Sequence, residues 1–306
     1  MLRYIVRRLV WTIVVLWAIV TLTFCVTLLS PVDPVRSYVG LRATPEEYQR
    51  VRQQFGLDQP PYVQYVRYIE LLLQGNLGTS FINQQPVLDN LAQRLPYTAL
   101  LAVAGEFVQL AIGIPLGLLA ALRRRSAVDR GILFGSLAGV ITPTFVLGFV
   151  LLYVFSFILG WFPLGGSASL PALVLPALAL GLPGAAWYVR MLRSETLNIL
   201  SSDYVRLARA KGLPERIVIS RHILRNALAP IVTMVGLDFG VFFGGVLIVE
   251  KVFAWPGIGQ QAWLAINQND QPLVIGTVLC AAFFVTIFNL LADIANAIID
   301  PRAKYA

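Results

Sequence analysis

Charge is what this 306-residue chain has least of: Asp, Glu, Lys and Arg together make up 13% of it. A soluble globule carries about 25% charged residues, and with 57% apolar residues this chain has too little polar side chain to cover one. Its mean hydropathy is +0.72, so most of the apolar mass must face lipid or other apolar helices. The same counts exclude a disordered, collagen-like or disulfide-framed chain. Only two cysteines occur, Cys25 and Cys280, both inside apolar runs where they carry no redox information. Histidine occurs once, as His222 in an arginine-rich stretch, so an intramembrane serine lacks the base that hydrolysis needs. Gly165-Gly166-Ser167-Ala168-Ser169 has no such partner, and no His/Cys cluster offers a metal site. The three lysines, Lys211, Lys251 and Lys304, none after a glycine, leave no G-x-x-x-x-G-K-[ST] phosphate loop. These absences argue against an enzyme.

What is present is a set of long apolar runs. A bilayer span needs about 20 apolar residues, and six runs qualify: 9–29, 97–122, 131–162, 170–189, 228–249 and 273–299. The first follows Arg3, Arg7 and Arg8 as a signal peptide would, but it is too long for an h-region and no A-x-A site follows, so a retained helix is expected. The third is long enough for one tilted or kinked helix; Thr142-Pro143-Thr144 is a candidate break, with too little polar sequence around it for a water-exposed loop. The fourth holds Pro171, Pro176 and Pro183 and is a candidate for a discontinuous helix.

Six spans divide the connections into two sets. Residues 1–8, 123–130, 190–227 and 300–306 hold 17 of the 24 Lys and Arg; the short connections on the other side, 163–169 and 250–272, hold one. The long 30–96 segment weighs little, since long loops cross regardless of charge. Both termini are therefore expected in the cytoplasm, and the net charge of +8 reads as orientation before nucleic-acid affinity.

Two connections are too large for turns. In the outer 30–96 segment, Thr44-Pro45-Glu46-Glu47 has the cap, proline and acids of a helix start. Tyr62, Tyr65, Ile69, Leu72 and Leu73 keep helical spacing. In the inner 190–227 segment, Ser202 or Asp203 caps a short helix in which Ala208 and Ala210 keep a low profile, and Gly212 fits a C′ position where φ turns positive. Pro214 and Glu215 start a second helix with a broad apolar side from Ile217 to Leu228. Two short helices joined by a glycine elbow serve either as an amphipathic interfacial loop or as a docking element for a cytosolic partner.

Residue motifs along the whole chain carry a resemblance. Asp203-Tyr204-Val205-Arg206-x-Ala208-Arg209-Ala210-Lys211-Gly212 and Arg221-His222-x-Leu224-Arg225-Asn226-Ala227 look like the signature loop of ATP-binding-cassette importer permeases of the dipeptide/oligopeptide (and nickel) branch. Tyr4-x-x-Arg7-Arg8-Leu9, Pro31-Val32-Asp33-Pro34, Phe55-Gly56-Leu57-Asp58-Gln59-Pro60, Gly75-Asn76-Leu77-Gly78-x-Ser80 and Arg94-Leu95-Pro96-x-Thr98 are similar to that branch in the same order. So are Val252-Phe253-x-Trp255-Pro256-Gly257-Ile258-Gly259 and Asp300-Pro301-Arg302. The generic importer loop, E-A-A-x-x-x-G followed by I-x-L-P, has Glu where this chain has Arg206, and has Ile and Pro where it has His222 and Arg225. A contact that depends on that Glu is in doubt here.

The resemblance implies an all-α integral membrane protein with the type I ABC importer transmembrane fold, placed in the bacterial cytoplasmic (inner) membrane. Residues 1–29 form an N-terminal helix, 30–96 an extracytoplasmic segment, 97–300 a five-helix permease core containing the coupling segment 193–227, and 301–306 a cytoplasmic tail. It implies no cofactor on this chain, with ATP and Mg used by partners. These are two cytosolic ATPase subunits, a second homologous permease subunit and an extracytoplasmic substrate-binding protein, with no nucleic acid. The residues expected to face an ATPase are Asp203, Tyr204, Arg206, Ala208, Ala210, Lys211 and Gly212. The expected cargo is a di- or oligopeptide, with glutathione-like compounds or chelated nickel as alternatives on the same architecture.

Within the spans the acids are Glu106, Asp238 and Asp293, functional candidates by default. Structural hydrogen bonding is expected ahead of a transport role, with Glu106 pairing to an Arg or a hydroxyl and Asp293 near the cytoplasmic end, where it is simply wet. A proton- or ion-coupled carrier or channel built on these acids is the competing reading. Gly236, Gly240 and Gly244, and the pair Gly113 and Gly117, form small-residue stripes for close helix approach. The Glu250–Gly257 connection is read as few charges with exposed aromatics, either an interfacial belt or, with 30–96, a seat for a binding protein.

Overall fold

The computed structural model describes residues 2–29, 33–40, 43–244 and 246–299. Pro31-Val32, Asp300-Pro301-Arg302, Lys304 and the 301–306 tail lie outside them. The described chain is helical: α1 (Leu2–Leu28), α2 (Pro34–Val39), α3 (Pro45–Gln54), α4 (Pro61–Leu73), α5 (Val87–Leu122), α6 (Ala127–Ile141) and α7 (Thr144–Leu151), which runs on as the π-helix π1 (Leu152–Ile158). Then follow α8 (Pro171–Leu200), α9 (Asp203–Ala210), α10 (Glu215–Ile217), the π-helix π2 (Val218–Leu224), α11 (Arg225–Ala227), α12 (Ala229–Phe243), α13 (Leu247–Val252), α14 (Ile258–Asn267) and α15 (Gln271–Ile299). Among the described residues four helices are long and apolar enough to cross a membrane, and up to six if each of two bent pairs counts as one span.

The central seam joins α5 to α8, and missing side chains make it close. A Cβ on Gly181 would stand 2.6 Å from the Gly105 carbonyl, one on Gly113 2.5 Å from Tyr188 Cβ, and one on Gly117 2.9 Å from the Val189 carbonyl. The second stripe serves the same end: Gly236 meets Ala292, and Gly244 meets Val285, on α15 of the same chain. Both stripes are therefore spent on packing within the subunit. Around the seam lies the main apolar core, in which Leu101, Ala102, Leu175, Ala179, Phe253 and Trp255 are all buried. By contrast α1 lies at the edge, seated by Val20 against Ile275 and Leu279 of α15, with Trp11 and Trp17 exposed.

One open point is decided and two expectations change. The 131–162 run is two helices, α6 and α7–π1, meeting at 101°. Pro143 has no N–H to donate and disfavours a helical residue before it, and Thr142 is extended (φ −71°, ψ 118°), so the helix breaks there. The proline-bearing fourth span is the opposite case: α8 is continuous through Pro176 and Pro183 for 30 residues, about 45 Å at 1.5 Å per residue. It runs past position 189 into the segment read as a loop. Finally, α5 begins at Val87, ten residues before the 97 boundary, with Pro96 inside the helix.

The 33–86 segment is built as its local signals indicate. Thr44 Oγ1 accepts the Glu47 N–H at 3.2 Å and caps α3, and the Tyr62–Leu73 pattern is α4. Its last turn docks on α15: Asp270, fully buried, accepts from the Ser80 hydroxyl and from the Phe81 N–H at 3.1 Å.

Candidate functional site

The elbow between α8 and α12 is a small folded unit. Ser202 stands at the α9 N-cap, but its hydroxyl turns back to the Ile199 carbonyl, so Asp203 in the first turn is left to face the positive helix end. The helix stops at Gly212, whose φ is +74°. The Gly212 N–H donates to the Arg209 carbonyl (2.9 Å) and the Leu213 N–H to the Ala208 carbonyl (3.3 Å), which is a Schellman closure. Val205 and Ala208 then close on Val218 and Ile223. The five-residue spacing of that last pair is close to one turn of π winding, which is what π2 supplies.

Seven site residues were expected on this unit. Asp203, Tyr204, Arg206, Ala210, Lys211 and Gly212 are exposed. Ala208 is turned inward at 5% exposure, and its small side chain lets the two helices touch. Leu207, 55% exposed and in line with Tyr204 and Lys211, takes the outward position. Sequence reasoning passed over it because the inward side of α9 is defined by a core only the fold shows. The two arms are also tied on the outside: Arg209 grips Glu215 in a two-pronged ion pair, Nη2–Oε1 2.6 Å and Nε–Oε2 3.2 Å, and the Asn226 amide donates to the Tyr204 hydroxyl at 3.3 Å. That ion pair raises the Arg209 pKa and lowers that of Glu215. Below the elbow, Arg193 near the end of α8 pairs with buried Asp129 through two bonds of 2.7 and 2.8 Å, and Asp129 also accepts the Arg125 N–H. The 123–129 connection is thereby locked to the stalk that carries the elbow.

The intramembrane acids divide. Glu106 on α5 and Asp238 on α12 converge on α8: the Tyr188 hydroxyl lies 2.6 Å from Asp238 Oδ2 and 3.1 Å from Glu106 Oε1. Gln109 donates to Glu106 at 2.7 Å and reaches Asp238 at 3.4 Å. Of the two kinds of partner expected on a neighbouring helix, Glu106 has the hydroxyl, Tyr188, beside Gln109 of its own helix. Asp293 is not in this group, and it is not merely wet: it forms a 2.9 Å ion pair with Arg8 of α1.

Glu250 carries a role that sequence reading missed. It is fully buried, accepting from Thr98 Oγ1 (2.7 Å) and the Gln260 N–H (2.8 Å), while Thr98 accepts the Ile258 N–H (2.8 Å). The aromatics expected to be exposed here are buried, Phe253 at 1% and Trp255 at 2%, with the Trp255 indole donating to the Tyr97 carbonyl. A Glu-Lys pair at a helix end reads as solvent-facing; Thr98, 152 residues away, is what takes the carboxylate inward. Lys251 stays outside, 3.2 Å over the Trp263 ring. Among the described residues no three His, Cys, Asp or Glu side chains gather as metal ligands.

The helices long and apolar enough to cross a membrane, packed along glycine seams, are those of a membrane protein, and comparison with known proteins gives its class. Residues 113–305 match the family described as binding-protein-dependent transport system inner membrane component, and residues 1–102 match the N-terminal domain of such components. The chain belongs to this family. It is 38% identical over 316 residues to the oligopeptide transport system permease protein AppB of Bacillus subtilis. It is 39% identical over 305 residues to the glutathione transport system permease protein GsiC of Salmonella paratyphi A, with 100% of both chains covered in each case. A solved structure of the MetNI methionine ABC transporter, in an inward-facing conformation, shares the fold: TM-score 0.57 at 18% identity, covering 70% of this chain and 97% of that one.

Proposed function

We propose that this chain is one of two permease subunits of an ATP-driven peptide importer, crossing the membrane six times with both termini in the cytoplasm. In this reading α6 with α7–π1 makes one bent crossing, and α12, entered from the 215–227 helix of the elbow, makes another. The elbow built on α9, Gly212 and π2 docks on a separate ATPase that uses ATP and Mg, and Tyr204, Arg206, Leu207, Ala210 and Lys211 form the contact. A second permease subunit, two ATPases and an extracytoplasmic binding protein complete the assembly. Nucleotide-driven closure moves the elbow as a rigid piece, and the Arg193–Asp129 lock passes that movement to α6 and α8.

The observation that carries the reading is the elbow itself, exposed on its outer face, closed by Gly212 and cross-tied by Arg209 and Glu215. Peptides are the favoured cargo, supported by the end-to-end similarity to an oligopeptide permease protein; glutathione is the alternative, supported by the similarity to GsiC. The test is uptake by the reconstituted assembly. Labelled peptide uptake is expected to stop with ATPase-dead partners and to be indifferent to an uncoupler; the opposite pattern supports a proton- or ion-coupled carrier built on Glu106 and Asp238. For sidedness, a cysteine at Leu213 is expected to react with an impermeant maleimide from the cytoplasmic side only, and one at Asn83 from the other side only.

A further inference from the structure

A cavity of about 590 Å³ lies between the 33–86 segment and the adjoining ends of α1 and α15, within the ~300–1,000 Å³ range of sites that hold a small ligand. One wall is apolar and belongs to two membrane-crossing helices, with Phe24 and Leu28 from the last turns of α1 and Ile275 from the first turns of α15. The other wall, from α3 and α4, is cationic, carrying Arg52 and Arg67. The cavity therefore sits where the chain leaves the bilayer, half in contact with hydrocarbon and half with polar surface.

The polar groups do not balance within the protein. Asp33 is the acid that lines the cavity, and its oxygens are engaged by the Tyr48 hydroxyl (2.5 Å) and the Val35 N–H (3.0 Å), with Arg36 at 4.0 Å. Among the described residues neither Arg52 nor Arg67 has an ion pair. Tyr68, also on the lining, has a buried hydroxyl with no hydrogen-bond partner. Burial pushes its phenol pKa up, so that hydroxyl remains a donor. A buried donor without an acceptor costs roughly 1–3 kcal/mol and calls for a missing group. The two guanidiniums are donors only and the buried phenol has a proton with no acceptor, so the missing group is an anionic acceptor with several oxygens.

We propose that this cavity is a phospholipid headgroup site, in which the phosphate lies between Arg52 and Arg67 and accepts from Tyr68 while the acyl chains run down the apolar face of α1. The apolar wall selects a lipid over a free phosphate, because Phe24, Leu28 and Ile275 contribute nothing to a fully hydrated ion. Beyond the cavity the same side of α1 continues with Trp17, 58% exposed and two turns from Phe24. Anionic lipid is preferred, since a second cation on the headgroup would sit beside two guanidiniums. The occupant pins α3 and α4 to α1 and α15. This inference needs only that α1 and α15 cross a membrane and holds whatever solute is carried.

The test is native mass spectrometry of the full chain, purified in its assembly, delipidated and titrated with phosphatidylglycerol, phosphatidylethanolamine or inorganic phosphate. The wild type is expected to hold one tight phosphatidylglycerol, and Arg52→Gln with Arg67→Gln to weaken it at least about tenfold, as loss of two charge-assisted hydrogen bonds would. Tyr68→Phe, which keeps the ring contacts with Phe24, is expected to weaken it less. Both arginines stand on the surface of short helices, so an unchanged helix content accompanies the loss. Equal phosphatidylglycerol binding by wild type and the double variant overturns the site. Competition by inorganic phosphate at equal concentration overturns the lipid as its occupant.

Discussion

Glu250 shows how much one carboxylate can organise. Its oxygens collect the Thr98 hydroxyl and the Gln260 N–H, and Thr98 in turn collects Ile258, so removing the side chain strands several buried donors at once. At roughly 1–3 kcal/mol for each stranded group, Glu250→Ala is expected to lower the thermal unfolding midpoint in detergent well below that of Glu250→Gln, which keeps one acceptor in place. An equal midpoint for the two variants would remove the acceptor role. Gly257 and Gly259 pack directly on the same carboxylate, where a Cβ would come within 2.1 and 3.0 Å of its oxygens. The Val252–Gly259 motif was visible in sequence, but its reason was not, because the acid that shapes it looks like an ordinary loop charge until Thr98 is brought to it.

At the scale of elements, two glycines act for different reasons. Gly212 has open space around its Cα and a φ of +74°, so substitution there strains the backbone without any clash. A left-handed L-residue costs about 1–2 kcal/mol, and valine's branched side chain suffers most. Gly212→Val is expected to leave membrane insertion intact while lowering uptake per ATP hydrolysed, and Gly212→Asn, which tolerates this conformation, to retain most coupling. Normal coupling in the valine variant would argue against the docking role. Gly181 has an ordinary helical backbone and no space, with the Gly105 carbonyl 2.6 Å from its missing Cβ. Gly181→Val is expected to part α5 from α8 and yield aggregated protein on size exclusion; Gly131→Val, with nothing within 4 Å, should behave as wild type. Gly212 was legible as a helix terminator because its neighbours repeat a capping pattern. Gly181 was not, since its requirement comes from a helix some 70 residues away in sequence.

For the whole molecule, α1 is attached at the edge, along α15 through an apolar contact and the Arg8–Asp293 pair and to α4 through Thr21 and Phe24. Cysteines at Val20 and Ile275 are expected to crosslink in the otherwise wild-type chain. Arg8→Asp should reduce the crosslink, and adding Asp293→Arg should restore it; no change in the single variant would make the ion pair incidental. Sequence alone determined the membrane-protein class, the apolar runs, the capped helix α3, the helical spacing of α4 and the glycine turn at 212. Each depends on composition or on neighbours within one or two turns, which short-range physics can read. Only the tertiary structure decided that Pro143 breaks a helix while Pro176 and Pro183 do not, that Ala208 points inward and Leu207 outward, that Tyr188 joins Glu106 to Asp238, and that Glu250 and Asp270 are buried anchors. Those outcomes depend on which distant backbone or hydroxyl comes within hydrogen-bonding reach, and that is set by how α5, α8, α12 and α15 pack together.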